Sequence, residues 1–343
     1  MKIKINNRII SDKSKPLIIA EIGINHFGSL KIAKKIFDKI KKSGAEAVKV
    51  QIHIPEEEMS EEAKYIVPGN TNLSIFEVIK KNSLTLSDEL LLKKYIEKKK
   101  LIYIATPFSF KAAKWLNDNN VKIFKIGSGE CNNHPLVRYV ASFKKPMIIS
   151  TGMNTIKSVK QTVEIVTKKK IPHAILHCVN LYPTNYKLVR LSRIATLKKL
   201  FKKSIVGYSD HTKGIDVSKA AIVLGAKIIE KHFTFDNKVK GPDISCSMNS
   251  EELKDLIRFS NIVMNASSKN DDFLKEENVT RNFAFHSVVS NEDIQKGEKL
   301  SYKNLTVKRP GTGAYPANKL QSLIHKKAKR FIKKNRLIQK KDV

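Results

Sequence analysis

The 343 residues carry a formal charge of +33, with 41% hydrophobic and 28% charged residues, a length that accommodates one large domain of about 250 residues and a small one. No run approaches the roughly 18 apolar residues of a membrane helix, and the opening Met1–Arg8 lacks the apolar core of a signal peptide, so a cytoplasmic protein with no membrane partner is expected. Only nine of the 65 basic residues are Arg, aromatics amount to 7%, and the three cysteines form no CxxC pair, which argues against a reader of base edges, a disulfide framework and a zinc knuckle.

A polar opening, Lys2 to Ile10, reads as a hairpin. Eight short apolar runs then recur: Leu17–Ala20, Ala47–Val50, Leu101–Ala105, Lys122–Ile126, Met147–Ile149, Ala174–His177, Ile205–Gly207 and Ala226–Ile229. Amphipathic stretches with 3.6-residue periodicity separate them, among them Ser29 to Lys42, Ser87 to Lys99, Thr155 to Lys169 and Gly214 to Leu224, several opened by a capping Ser or Thr. Eight β-then-α units over about 240 residues predict an α/β chain folded as a closed (β/α)8 barrel rather than an open doubly wound sheet. The long stretch Ile52 to Phe76 is expected to be a functional loop. Past Asn261 a polar linker (266–282) leads to a small module of short strands and turns (283–343), with the barrel and hairpin occupying 1–265.

In such a barrel the C-terminal strand ends build the active site. Here they read Glu21 with Asn25-His26; Lys49 and Gln51; Thr106; Lys125 with Gly127-Ser128-Gly129-Glu130; Ser150; Asn180 and Tyr182; Asp210-His211; and Glu230-Lys231-His232. Two lysines inside apolar strands, Lys49 and Lys125, are costly unless they meet an anion. With the hydroxyls of Thr106, Ser128 and Ser150 they suit a phosphate or carboxylate; the plainer alternative pairs each lysine with Glu21 or Glu130. His211 and His232 end adjacent strands and could share one divalent ion, with Asp210 and Glu230 to orient them. His26 and His177 are weaker candidates; His134, His173, His286 and His325 read as structural or exposed.

Seven strings occur in order: Glu21-Ile22-Gly23-Ile24-Asn25-His26, Lys125 to Asn133, Ser150-Thr151-Gly152-Met153, Tyr208 to Thr212, Glu230 to Thr234, Gly241-Pro242-Asp243 and Lys308-Arg309-Pro310-Gly311. Together they resemble the bacterial sialic acid synthase (N-acetylneuraminate synthase) family across essentially the whole chain, its C-terminal antifreeze-like (SAF) domain of mostly β and irregular structure included. The resemblance implies a transferase that condenses phosphoenolpyruvate with N-acetylmannosamine, releasing phosphate by C–O cleavage and giving a nine-carbon 2-keto sugar acid.

It further implies that Lys49, Thr106, Lys125, Ser128, Ser150 and Asn180 hold phosphoenolpyruvate, that Gln51, Asn70, Tyr182 and Asp243 face the sugar, and that Arg309 reaches the sugar from the other subunit of a domain-swapped homodimer. Glu21 and Glu130 are the catalytic carboxylates, their roles not separated. His211 and His232 would hold the divalent metal, Mn2+ first, with Mg2+ or Co2+ as alternatives. The segment His53 to Asn70 and Cys246 to Asn249 resemble enzymes that use N-acetylmannosamine. Position 50 lacks the histidine many of those carry, while Gly207-Tyr208-Ser209 and Arg309 to Gly313 resemble the legionaminic acid branch. A legionaminic or pseudaminic acid synthase is thus the alternative; a Schiff-base aldolase using Lys125 and a nucleic-acid binder are remoter ones.

Overall fold

Strand and helix periodicities resolve into two compact units, Met1–Ser267 and Ser268–Val343, in a computed structural model that describes residues 1–68, 71–267 and 272–343. The first unit opens with β1 (Ile3–Ile5) and β2 (Arg8–Ile10), an antiparallel hairpin. Eight parallel strands follow: β3 (Leu17–Glu21), β4 (Ala47–Ile52), β5 (Ile102–Pro107), β6 (Phe124–Ile126), β7 (Met147–Ser150), β8 (His173–Cys178), β9 (Ile205–Asp210) and β10 (Ile228–His232). They close in sequence order, β10 pairing with β3, into the expected barrel.

Alternation along these strands divides the core in two. Residues such as Val48, Val50, Ile126, Ile149 and Ile175 point outward and pack with the helices, for example Ile36, Phe37 and Ile40 of the helix Leu30–Lys42. Leu17, Ile19, Ala47, Ile104, Ile123, Ile148, Leu176, Ile205 and Ile228 point inward, and Ile3, Ile5 and Ile10 of the hairpin join that interior cluster. Each buried isoleucine of the hairpin contributes roughly 1.5–3 kcal/mol relative to exposure. Continuing the same alternation by two residues turns each inward row polar: Ile19 leads to Glu21, Ala47 to Lys49, Ile123 to Lys125, Ile148 to Ser150 and Ile228 to Glu230.

Helix starts follow the capping chemistry: Ser29 accepts from the Ile32 N–H and Thr155 from the Ser158 N–H. The helix expected from Ser87 begins at Leu86, because Thr85 caps it through the Asp88 N–H. Within the long loop lie a short helix, Pro55–Glu58, and a 3-10 turn, Glu61–Tyr65, and the helix Ile75–Asn82 begins at its end.

In the second unit β11 (Ser287–Ser290) pairs antiparallel with β12 (Leu305–Lys308) over a core of Val288, Ile294, Leu300, Leu305, Leu323, Ala328, Ile332 and Ile338. The division falls at 267/268, and of the expected linker, Lys275–Glu277 forms a 3-10 turn and its last residues belong to the helix Asn278–Ala284. No helix among the described residues is long and apolar enough to cross a membrane.

Candidate active site

The polar ends of the inward rows meet in a cavity of about 140 Å³ at the C-terminal mouth of the barrel. Glu21, Lys49, Gln51, Thr106, Lys125 and Ser128 line it, as do Glu130, Ser150, Asn180, Tyr182, His211 and His232. Asp243 stands just behind, its Oδ2 3.6 Å from Nδ1 of His232. Arg309 belongs to the second unit, where its Nε donates to the Ala284 carbonyl at 3.1 Å. Asn70 lies outside the described residues.

A buried charge network forms the floor. Nζ of Lys49 is 2.9 Å from Glu21 Oε2 and 3.0 Å from Glu230 Oε1; Nζ of Lys125 is 3.5 Å from Glu230 Oε1 and donates to the Ile126 carbonyl at 3.2 Å. All four side chains are at most 5% exposed, so each charge needs its partner. Burial by itself would raise Glu21, but the Lys49 ammonium and then His232 hold its carboxyl well below the usual range. Glu230 is lowered in the same way against burial by Lys125 and Lys49. Lys49 is raised: desolvation is outweighed by Glu21 and Glu230. Lys125 is lowered by burial, with Glu230 opposing and Lys49 reinforcing. Glu130 goes the other way from Glu21: burial pushes its carboxyl up.

The expected roles of Asp210 and Glu230 as orienters of the histidines are corrected here. Glu230 serves the two lysines and accepts from Ser209 Oγ at 3.1 Å. Asp210 is taken by Lys231 at 3.1 Å, by Ser218 Oγ at 2.6 Å and by the Thr212 N–H and hydroxyl. His211 is oriented instead by the Val179 carbonyl, 2.8 Å from its Nδ1, while the Asp243 carboxylate lies 3.6 Å from Nδ1 of His232, beyond hydrogen-bond reach. The pairing alternative for the lysines also changes partner, since Lys49 binds Glu21 and Glu230 and neither lysine forms an ion pair with Glu130 among the described residues.

The rings of His211 and His232 lie 5.5 Å apart between centroids, with Tyr182 against both. With Nδ1 of His211 facing a carbonyl, its Nε2 keeps a free lone pair, and Nδ1 of His232 is buried without a hydrogen-bond partner among the described residues. Two such imidazoles suit a divalent ion as part of its donor set. No group of three or more His, Cys, Asp or Glu that could hold a metal ion occurs among the described residues. Of the weaker candidates, His177 is bound to the Val189 carbonyl at 2.6 Å and burial pulls it down to about 4; His26 accepts from the Gly28 N–H at 3.2 Å and is likewise pulled to about 4.

Thr106 Oγ1, Ser150 Oγ, Glu130 Oε2 and Glu230 Oε2 are also buried without hydrogen-bond partners among the described residues, all around this cavity. Buried polar atoms are rarely left so, and a cluster of them marks the place of a polar ligand. Sequence reasoning assigned no role to Phe108, Cys178 or His53. The first two line the cavity, and inward alternation from Thr106 and Leu176 points to them, while Ser209, at the end of its strand as expected, lines it as well. Gly152 is required by close approach: a Cβ there would overlap the Asn180 side chain and press on Ser128 Oγ at 2.8 Å.

A model of the NeuB family matches residues 36–272, and one of the SAF domain matches residues 285–343. The chain is 37% identical to N,N'-diacetyllegionaminic acid synthase of Campylobacter jejuni, over 95% of this chain and 99% of that protein. To human N-acetylneuraminate-9-phosphate synthase it is 33% identical, over 90% and 88%. Among solved structures it resembles the N-acetylneuraminic acid (sialic acid) synthetase of Leptospira borgpetersenii in complex with citrate, with a TM-score of 0.75 and 31% identity over 82% of this chain and 95% of that one.

Proposed function

The chain belongs to the NeuB family, a family of sugar-acid synthases, and from that premise we propose that it condenses phosphoenolpyruvate with N-acetylmannosamine to give N-acetylneuraminate and phosphate. The observation that carries this reading is the coincidence, in one small cavity, of two buried lysines and two unpartnered hydroxyls with a carboxylate held ionised. Phosphoenolpyruvate is a compact trianion. Lys49 and Lys125 supply the ammonium groups, while Thr106, Ser128, Ser150 and Asn180 supply neutral polar contacts that fix its orientation.

Carbon–carbon bond formation leaves positive charge at C2 of phosphoenolpyruvate, to which water adds before phosphate departs. Glu21, paired with Lys49, stabilises that charge and takes the proton from water, while Glu130, whose carboxyl burial pushes up, stands as the second carboxyl group beside the reacting carbons. Opposite displacement of the two carboxyls supports this division of roles. His211 and His232 would hold the divalent metal, which supplies Lewis acidity toward the sugar carbonyl when bound. Gln51, Tyr182 and Asp243 position the sugar, and Arg309 is the contribution of the small domain of a second subunit.

A second reading has its own support: the 37% identity to a relative named as a diacetyllegionaminic acid synthase favours a diacetamido-trideoxyhexose as acceptor. Phosphate release from phosphoenolpyruvate with Mn2+ decides between them. Faster release with N-acetylmannosamine supports the first, preference for 2,4-diacetamido-2,4,6-trideoxymannose the second, and silence with both overturns the condensation. Inactivation by borohydride in the presence of substrate, resistant to EDTA, would instead mark Lys125 as a Schiff-base nucleophile.

A further inference from the structure

The carboxylate of Glu21 is the end of a hydrogen-bonded chain that starts outside the cavity. Gln51 Nε2 donates to Glu21 Oε1 at 2.7 Å; His53 Nε2 is 3.1 Å from Gln51 Oε1; His53 Nδ1 is 2.9 Å from Glu58 Oε1 and 3.1 Å from Oε2. The side chains of His53 and Glu58 are 6% and 7% exposed. Phe108 stacks on the imidazole with centroids 4.2 Å apart. Glu58 closes the short helix Pro55–Glu58, and Lys111, on the helix Phe110–Asp118 after the neighbouring strand β5, reaches Glu57 of that short helix at 3.0 Å.

The donors and acceptors of this chain have a single consistent direction. Glu21, ion-paired with Lys49 at 2.9 Å, accepts from Gln51, which turns its amide NH2 toward it and its carbonyl toward His53. His53 Nε2 must then donate. Its Nδ1 faces a carboxylate that accepts as well, so both ring nitrogens need protons.

We infer that the His53–Glu58 pair is a positioning device for Glu21, with His53 protonated on both ring nitrogens and locking the orientation of Gln51. This inference rests on the proposed reaction, because it is Glu21 in its role beside C2 that the chain orients. Loss of one ring proton would free Gln51 to rotate and present its carbonyl to Glu21, two acceptors in contact. Besides Glu58, the charged or titratable groups near the ring among the described residues are Glu130 from the loop after β6 and His26 from the loop after β3.

Nitrogen NMR of the full chain at pH 7, with His53→Gln used to assign the ring, reads the protonation without substrate. Both nitrogens of His53 are expected to carry protons in the wild type, and Glu58→Gln is expected to remove one. In turnover with phosphoenolpyruvate and the better acceptor sugar, Glu58→Gln and His53→Ala should lower kcat about 10- to 100-fold, the range seen when groups that orient active-site ligands are lost. The KM for phosphoenolpyruvate should stay within about twofold. His53→Gln keeps an N–H toward Gln51, so it should recover part of kcat. A neutral His53 ring in the wild type, or unchanged kcat in His53→Ala, overturns the inference. A wild type that does not turn over phosphoenolpyruvate fails the proposed reaction and leaves the ring measurement to decide the pair.

Discussion

Glu89 offers a pH-dependent test of the barrel wall. It lies on the helix Leu86–Lys98, 3% exposed, and its Oε2 has no hydrogen-bond partner among the described residues. Burial chiefly, and the charge of Asp88 next, push its carboxyl from the ordinary 4.5 up to about 8. Between those values the folded chain keeps a proton that the unfolded chain releases, so stability falls as pH rises through the window and the full cost is present above pH 8. A displacement of that size corresponds to about 5 kcal/mol. Glu89→Gln replaces the neutral acid by a neutral amide of the same shape. Urea denaturation at pH 5 should therefore find the two proteins similar, and at pH 8.5 the variant should be more stable by several kcal/mol. Comparing the variants at each pH cancels every other titrating group. A difference that changes by less than about 1 kcal/mol between the two pH values would show that the carboxyl is hydrated in the folded protein and refute the reasoning.

The floor of the cavity makes a second prediction: Glu230→Gln leaves Lys49 and Lys125 facing each other with Glu21 alone to balance them, and should cost about 3–5 kcal/mol at neutral pH. Since Glu230 is held below the usual carboxylate range, its contribution is present above the unfolded value and lost as pH falls, so the gap between wild type and variant should narrow in acid; a gap constant with pH in denaturant melts would contradict this. His211→Ala should abolish Mn2+-dependent phosphate release while circular dichroism keeps the helical signal, and near-normal turnover with retained metal would refute the ligand assignment. Arg309→Ala should raise the KM for the sugar about tenfold and leave that for phosphoenolpyruvate unchanged; equal sugar kinetics would remove Arg309 from the site.

The barrel was legible because its two periods are local properties of the backbone. Eight apolar runs and the stretches between them mark strands and helices, and the period of two along each strand puts Glu21, Lys49, Lys125, Ser150, Glu230 and His232 on the inward face whatever lies opposite. Partner choice was not legible in the same way. Lys49 reads as meeting Glu21 or Glu130, yet its second partner is Glu230, two strands away across the seam where β10 pairs with β3. Asp210, adjacent to His211 in sequence, turns instead to Lys231 and Ser218. His53 reads as one residue of a long loop, and its place against Phe108, Gln51 and Glu58 follows from the short helix Pro55–Glu58 folding back over the strand end.

By itself, then, the sequence determined which residues face the axis, where the polar rows begin and what chemistry they carry, because side-chain alternation needs no knowledge of neighbours. Only the closed barrel decided which charges neutralise which. Closure brings side chains from strands far apart in the chain together, Lys49 and Glu230 at 3.0 Å, and in a buried site the desolvation cost makes each ionised group take whichever opposite charge the register sets beside it.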